Sequence, residues 1–385
     1  MPLITYPYLI RVLGEETYGL VIFAQAVVGY LLILVQFGFN ISATKEISIY
    51  RNNKKKLSEI VSSVLLIKSG LFILSAAILS LLILIIPKLH DYKTLFFLTL
   101  WLCLYDIIFP IWYFQGIEKM KYITYITLIS RLTFLVLIFV LIHGPSDYLF
   151  IPVINGIGSL LAGVTSLFII YRIYHVKLII PPFSKLKHYF ADSVSIFISN
   201  ISVHLYLATN KILAGIFLGL SDVAYYDLAE KLLNLLKLPV TIVSQVLFPQ
   251  MSLSYDKNLL KKSIRLVFFT TLIGIIVFQF AGDNLIILFA GAPMVPAANV
   301  TRILILSLIP LIISNGLGIQ TLLSHGYNNI YTYINLQTTL LYFTLIAALI
   351  FINQLSVLTL PVVSIIIEIF LLISFFMKCK KLNLI

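Results

Sequence analysis

The sequence is short of charge. Only 11% of its 385 residues are Asp, Glu, Lys or Arg, against about 25% in soluble domains, so a water-solvated globular fold is excluded. It has two cysteines, Cys103 and Cys379, which rules out a disulfide framework or a cysteine zinc site. It lacks any connection long enough to fold as a soluble catalytic domain. It also lacks paired catalytic carboxylates, a histidine cluster, a phosphate-cradling glycine loop and metal-ligand spacing. The expectation is therefore no enzyme, no cofactor and no metal. Negative charge is the scarcer sign, with 15 Asp plus Glu against 27 Lys plus Arg. Apolar residues make up 60% of the chain, and the mean hydropathy is +1.05.

A bilayer span needs about 20 mainly apolar residues. Eleven segments qualify: 17–41, 61–87, 94–114, 123–142, 149–171, 190–218, 226–250, 264–290, 300–323, 331–352 and 357–377. The fold class is thus an all-α integral membrane protein. Residues 1–10 are apolar but too short to span, and they have neither a basic leader nor a cleavage site. They read as the end of a first helix that is truncated here, which would make about twelve spans with eleven complete.

Basic residues fix the expected orientation. One set of connections holds Lys45, Arg51, Lys54–Lys56, Lys119, Lys121, Arg172, Lys177, Lys185, Lys187, Lys257, Lys261, Lys262, Arg265, Lys378, Lys380 and Lys381. The alternate set holds only Arg11, Lys88 and Lys93. By the positive-inside rule the first set, and with it the C-terminus, is cytoplasmic. Topology accounts for the net charge of +12, so nucleic acid is not needed as a partner.

Two sequence echoes point to a repeat. Leu13-Gly14 with Ala24-Gln25 returns as Leu218-Gly219 with Ala229-Glu230, 205 residues on. Gly116, followed by Tyr122 and Ile126, returns as Gly326, followed by Tyr331 and Ile334. The expected organisation is an N-terminal lobe over 1–171, a cytoplasmic linker over 172–189 and a C-terminal lobe over 190–385. Parallel repeats of this kind commonly place a transported substrate where the halves meet.

Polar residues recur at helical spacing inside the spans. Gln25, Gly29, Gln36 and Asn40 share one side of 17–41; Ser193, Asn200, His204 and Lys211 share one side of 190–218; Glu230, Asn234, Lys237, Thr241 and Gln245 share one side of 226–250. Polar groups facing lipid would lack partners. Such stripes serve either as contacts between helices or as the lining of a wet pathway. Lys237 lies near the middle of its span, where a lysine usually marks a pathway. Lys68 and Lys211 lie about two turns from a helix end, where snorkelling to the interface and burial are both open. Lys231 is near an outer end. Arg131 is deeper, with Thr124 and Thr127 on its side. Asp106 and Glu368, near mid-membrane, either pair with a buried base or serve as protonatable coupling sites. Counting Lys68, Arg131, Lys211, Lys231 and Lys237 against Asp106, Glu230 and Glu368 leaves two surplus positive charges. That bias suits an anionic group such as phosphate.

The run Trp112-Tyr113-Phe114-Gln115-Gly116-Ile117-Glu118-Lys119-Met120 resembles a signature of the bacterial polysaccharide flippases, the Wzx-type O-antigen translocases. The stretch Pro7-Tyr8-Leu9-Ile10-Arg11-Val12-Leu13-Gly14, then Tyr18-Gly19, and the later Phe37-Gly38-Phe39 are similar to the same family. The resemblance implies a MATE-like fold of two six-helix lobes around a central cleft. Helices 1, 2, 7 and 8 line that cleft in relatives, so three of them would be 17–41, 190–218 and 226–250.

It implies as substrate an undecaprenyl-pyrophosphate-linked oligosaccharide, carried from the cytoplasmic to the outer leaflet of the bacterial inner membrane by alternating access. Lys237, Lys211 and Arg131 would then attract pyrophosphate, beside Glu230 in the same stripe. Gln25, Asn200, Asn234 and Gln245 would bond sugar hydroxyls, and the lipid tail would stay in the bilayer. A proton or sodium gradient, through Asp106 or Glu368, is the candidate driving force, and a glycan polymerase is a candidate partner beside membrane lipids. The rival readings are a multidrug or cation exporter of the same superfamily and, from another class, a membrane glycan polymerase.

Overall fold

The computed structural model describes the backbone of residues 2–253 and 255–384; the side chains of 2, 3, 195, 199–208, 249, 252 and 253 are not described. Among the described residues all regular structure is helical. Among the described residues nine helices are long and apolar enough to cross a bilayer, and a bent pair makes a tenth. The chain is a multi-pass membrane protein. The expected span 190–218 falls on the helix Phe183–Leu213 and the turn Ala214–Leu218 that follows it. The side chains of Asn200 and His204 lie outside the described residues.

The chain divides into two compact units, one of 1–13 and 23–204, the other of 14–22 and 205–385. Residues 172–189, expected as a linker, lie inside the first.

In chain order the first ten helices are α1 (Pro2–Gln36), α2 (Phe39–Ile49), α3 (Lys54–Ile85), α4 (Pro87–His90), α5 (Lys93–Thr99), α6 (Trp101–Ile108), α7 (Ile111–Gly116), α8 (Met120–Leu141), α9 (Phe150–Phe168) and α10 (Phe183–Leu213). Helix α1 is broken at Gly14 (φ 73°, ψ 168°). A Cβ there would meet nothing within 4 Å, so the backbone conformation, not space, calls for glycine. Helices α5, α6 and α7 together make one span, interrupted before Pro110.

The signature run is a packing device in the first unit. Trp112, Tyr113 and Phe114 are buried in a core with Phe39, Ile47 and Ile60. A Cβ on Gly116 would lie 2.5 Å from Ile47 Cγ2 and 2.9 Å from the Thr44 carbonyl oxygen, so only glycine lets α7 lie against α2. Thr44 Oγ1 donates to the Trp112 carbonyl at 3.3 Å and to Gln115 Oε1 at 3.4 Å, tying the same helices together. Glu118 pairs with Arg51 at 2.9 Å, but both are exposed, where such a pair contributes little.

Lys68 does not snorkel. Its side chain is 0% exposed, and its Nζ meets Asp106 Oδ2 at 2.6 Å and the Asp106 carbonyl at 3.3 Å. Gln36 Nε2 donates to the other carboxylate oxygen at 3.3 Å. This knot ties α1, α3 and α6. Arg131, expected in a cleft, is exposed on α8, and among the described residues it has no ion pair within 4.0 Å.

The second unit holds the end of α10, then α11 (Leu220–Leu253), α12 (Lys257–Ala290), α13 (Pro296–Leu304), α14 (Leu308–Leu317), α15 (Asn328–Phe351) and α16 (Thr359–Lys381). Helix α11 begins six residues before the expected start at 226, and it bends by 45° between Leu220–Leu236 and Leu238–Phe248. Pro239 explains the bend, since it has no N–H for the Leu235 carbonyl and its ring crowds that turn.

The repeat is visible in backbone geometry. Gly14 and Gly219 both interrupt helices, the second in extended conformation. Asn53 caps α3 by accepting from the Lys56 N–H, and Asp256 caps α12 by accepting from the Asn258 and Leu259 N–H groups. The second echo needs correcting. Gly326 (φ 81°) corresponds to Glu118 (φ 59°), not to Gly116. Each closes a Schellman turn: the Lys119 N–H donates to the Phe114 carbonyl and the Glu118 N–H to that of Gln115, as Tyr327 does to Leu322 and Gly326 to Leu323.

Two outcomes follow for the first unit. Gly116→Val is expected to cost about 1–3 kcal/mol by overpacking, read as a lower unfolding temperature in detergent; Ile47→Ala in the same chain should recover part of it. Asp106→Asn is expected to cost about 3–5 kcal/mol by stranding the Lys68 charge, while Lys68→Met with Asp106→Leu should recover most of that loss in the same assay.

Candidate functional site

Four charged side chains meet in the second unit. Asp227 is buried on α11, one helical turn before Lys231. Lys231 Nζ donates to the Asp227 carboxylate and to the Tyr18 hydroxyl. Tyr18 in turn donates to Asp227 Oδ2 at 2.7 Å. Lys211, at the end of α10, reaches Asp227 Oδ1 at 3.4 Å and Glu230 Oε2 at 2.7 Å. Two ammonium groups therefore face two carboxylates, and the cluster is neutral. Close backbone approach makes this arrangement possible: a Cβ on Gly19 would fall 1.8 Å from the Leu220 carbonyl oxygen. The Tyr18-Gly19 pair thus seats the 14–22 segment against the start of α11.

A separate hydrogen-bonded chain lies beside this cluster in the sequence, through Asn210 and Tyr226. Tyr342 donates to Asn210 Oδ1 at 2.6 Å, and Asn210 Nδ2 donates to the Tyr226 hydroxyl at 2.6 Å. These three residues, with Glu230, Lys237 and Glu368, line a small cavity of about 70 Å3 within the unit. Glu368 accepts from Ser314 Oγ at 3.5 Å. Lys237 stands at the bend of α11. Among the described residues its ammonium has no carboxylate within 4.0 Å, unlike Lys68, Lys211 and Lys231. It shares the cavity with Glu368, beyond ion-pair distance.

The expected site residues are thus sorted by the structure. Lys211 and Glu230 join the charged cluster, while Glu230, Lys237 and Glu368 share the cavity. Asn234 and Gln245 are exposed along α11. Gln25, half-buried on α1, belongs to the first unit with Asp106 and Arg131. Asn200 is outside the described side chains. Sequence reasoning missed Asp227 and Tyr18. Starting α11 at 226 put Asp227 at a span end, whereas the helix begins at Leu220. The spacing of Asp227 to Lys231 was the available signal, since residues four apart share a helix face. With Asp227 counted and Arg131 exposed, Lys68, Lys211, Lys231 and Lys237 stand against Asp106, Asp227, Glu230 and Glu368, and the expected surplus of buried positive charge disappears. Among the described residues no group of three His, Cys, Asp or Glu side chains is placed to hold a metal ion.

Residues 1–255 match the family of polysaccharide biosynthesis proteins. The chain is 28% identical over 356 residues to a putative O-antigen transporter of Escherichia coli (strain K12), covering 90% of this chain and 85% of that one. It is 27% identical over 253 residues to a putative O-antigen transporter of Shigella dysenteriae, covering 65% and 63%. Among solved structures it is similar to the lipid II flippase MurJ in an inward closed conformation, with a TM-score of 0.79 at 15% identity over 98% of this chain and 84% of that one. It is also similar to an inward-facing multidrug resistance MATE family transporter of the MOP superfamily, with a TM-score of 0.75 at 12% identity over 99% and 94%. At such identities the structures establish the fold alone, whereas the family match extends over most of the sequence: the chain belongs to the polysaccharide biosynthesis protein family and has the fold of the MOP-superfamily transporters.

Proposed function

We propose that this chain is a flippase that carries undecaprenyl-pyrophosphate-linked oligosaccharide repeat units from the cytoplasmic to the outer leaflet of the bacterial inner membrane by alternating access, and that it is not an enzyme. Its family and the names of its relatives support a lipid-linked polysaccharide as cargo. The observation that carries the reading is Lys237, an intramembrane ammonium that lines a cavity with Glu230 and Glu368 and has no ion pair within 4.0 Å among the described residues. An ammonium is costly to hold in a bilayer; Glu368 shares its cavity beyond ion-pair distance, and a pyrophosphate offers further matching charge. Asn234 and Gln245, exposed along the same helix, offer hydrogen bonds to sugar hydroxyls.

Glu368 is the group proposed to couple transport to a proton or sodium gradient. Asp106 is less free for that role, because Lys68 and Gln36 already hold its carboxylate. The basic residues Lys378, Lys380 and Lys381 support a cytoplasmic C-terminus. A drug or cation exporter on the same fold would have no use for an unpaired lysine in its cavity.

The test is translocation of a labelled lipid-linked sugar in a strain lacking its own flippase. Lys237→Ala is expected to lower export about 10–100-fold at equal membrane level, the loss corresponding to one charge-assisted hydrogen bond of about 1.5–3 kcal/mol. Lys237→Arg should keep part of it. Unchanged export by Lys237→Ala would remove the phosphate contact, and drug resistance without sugar export would favour the exporter. Glu368→Gln is expected to uncouple export from the gradient; export in vesicles that still rises with an imposed gradient would assign coupling elsewhere.

A further inference from the structure

The first unit holds a second polar recess that the proposed pathway does not use. A cavity of about 330 Å3 opens between α2, α3 and α10, at the lower end of the usual range of small-molecule pockets, about 300–1,000 Å3. Phe39 and Tyr189 supply its buried aromatic lining, and Ser42, Lys45, Glu46 and Asp192 supply its polar lining.

Part of this lining is already fixed by bonds within the unit. Ser42 Oγ and Ser193 Oγ lie 2.7 Å apart. The Tyr189 hydroxyl donates to Glu59 Oε1 at 3.1 Å, and the same carboxylate takes Lys56 at 3.0 Å and Lys185 at 3.5 Å. Burial, and then the Glu59 carboxylate, push the Tyr189 phenol above its ordinary range, so it stays protonated. These contacts make a rigid frame. The side chains of Lys45 and Glu46 are different: among the described residues neither has an ion pair within 4.0 Å. Glu46 is half-buried in spite of that, and Asp192 has only His188 at 3.4 Å, a partner that is charged only when protonated.

The chemistry of the recess narrows its ligand. Two carboxylates against one ammonium repel phosphate. An inorganic cation would meet Lys45, and no three-ligand group is present among the described residues. A sugar ring fits. Each hydroxyl both donates and accepts, so it can bond an acceptor-only carboxylate and a donor-only ammonium in the same pocket. The recess is lined by Lys45, a residue of the 42–60 connection expected on the cytoplasmic side. That is where the glycan of a lipid-linked precursor lies before it is moved.

We infer that this recess is a loading site for a sugar ring of the repeat unit, with Glu46 and Asp192 accepting from its hydroxyls and Lys45 donating to them; the inference rests on the flippase reading. The test uses Ser42→Cys in inverted membrane vesicles, where Cys103 and Cys379 are buried and silent, and a membrane-impermeant maleimide. Lipid-free repeat-unit oligosaccharide, released from its carrier by mild acid, is expected to slow labelling about tenfold at saturation, and adding Glu46→Gln and Asp192→Asn should abolish that protection. Undecaprenyl pyrophosphate without sugar should not protect. Labelling that ignores the oligosaccharide, or that sugarless carrier slows equally, overturns the site.

Because Ser42→Cys alters a residue of the frame, Glu46→Gln in the otherwise native chain gives a second reading. Export should fall about tenfold at equal membrane level. If the native chain exports and Glu46→Gln exports equally, the loading site falls and the flippase reading stands; if the native chain exports no lipid-linked sugar, the flippase reading itself falls.

Discussion

A charge within a bilayer has to bring its own solvent, and the placement of charged side chains in this chain follows from that requirement. Lys68 takes Asp106, with Gln36 filling the remaining acceptor. Lys211 and Lys231 take Asp227 and Glu230, with Tyr18 completing the shell. Each knot joins helices distant in sequence, so charge pairing also serves as tertiary specification. Hydrophobic burial cannot do this alone, because in lipid the alternative to helix contact is another apolar surface. Against this background a lysine without a carboxylate partner becomes informative, and Lys237 is such a lysine.

The two units use one plan with different side chains. Their helix breaks, caps and Schellman turns correspond, at Gly14 and Gly219, Asn53 and Asp256, and Glu118 and Gly326. Their polar interiors do not. The first unit carries a closed Lys–Asp pair on α3 and α6, while the second carries a cavity with an acid and an unpaired base. Duplication of a scaffold followed by divergence of its interior accounts for this, and it separates what the fold needs from what transport would need.

Much of this was legible in the sequence. Apolar length gave the spans, since no other structure satisfies the backbone in lipid. The Trp112–Met120 run gave the family, and its structural role is now plain: three buried aromatics and a glycine that admits α2. Its recurrence reflects packing and carries no substrate chemistry. What stayed hidden depended on tertiary partners. Asp227 looked like a residue at a span edge until α11 proved to start at Leu220. Lys68 could have reached the interface had Asp106 not stood 2.6 Å away. The second echo slipped by two positions, because an αL site occupied by glycine in one unit is occupied by glutamate in the other.

The bend in α11 gives Lys237 a mechanical setting. Pro239 leaves the Leu235 carbonyl without its helical partner, so the angle there is softer than in an unbroken helix. An ammonium mounted on such a joint is aimed by the curvature of the rod that bears it. Straightening α11 would swing the cation without melting any turn, and an anion seated on it would be carried along. Helix shape and charge position are thereby a single degree of freedom, set by one imino acid two residues away.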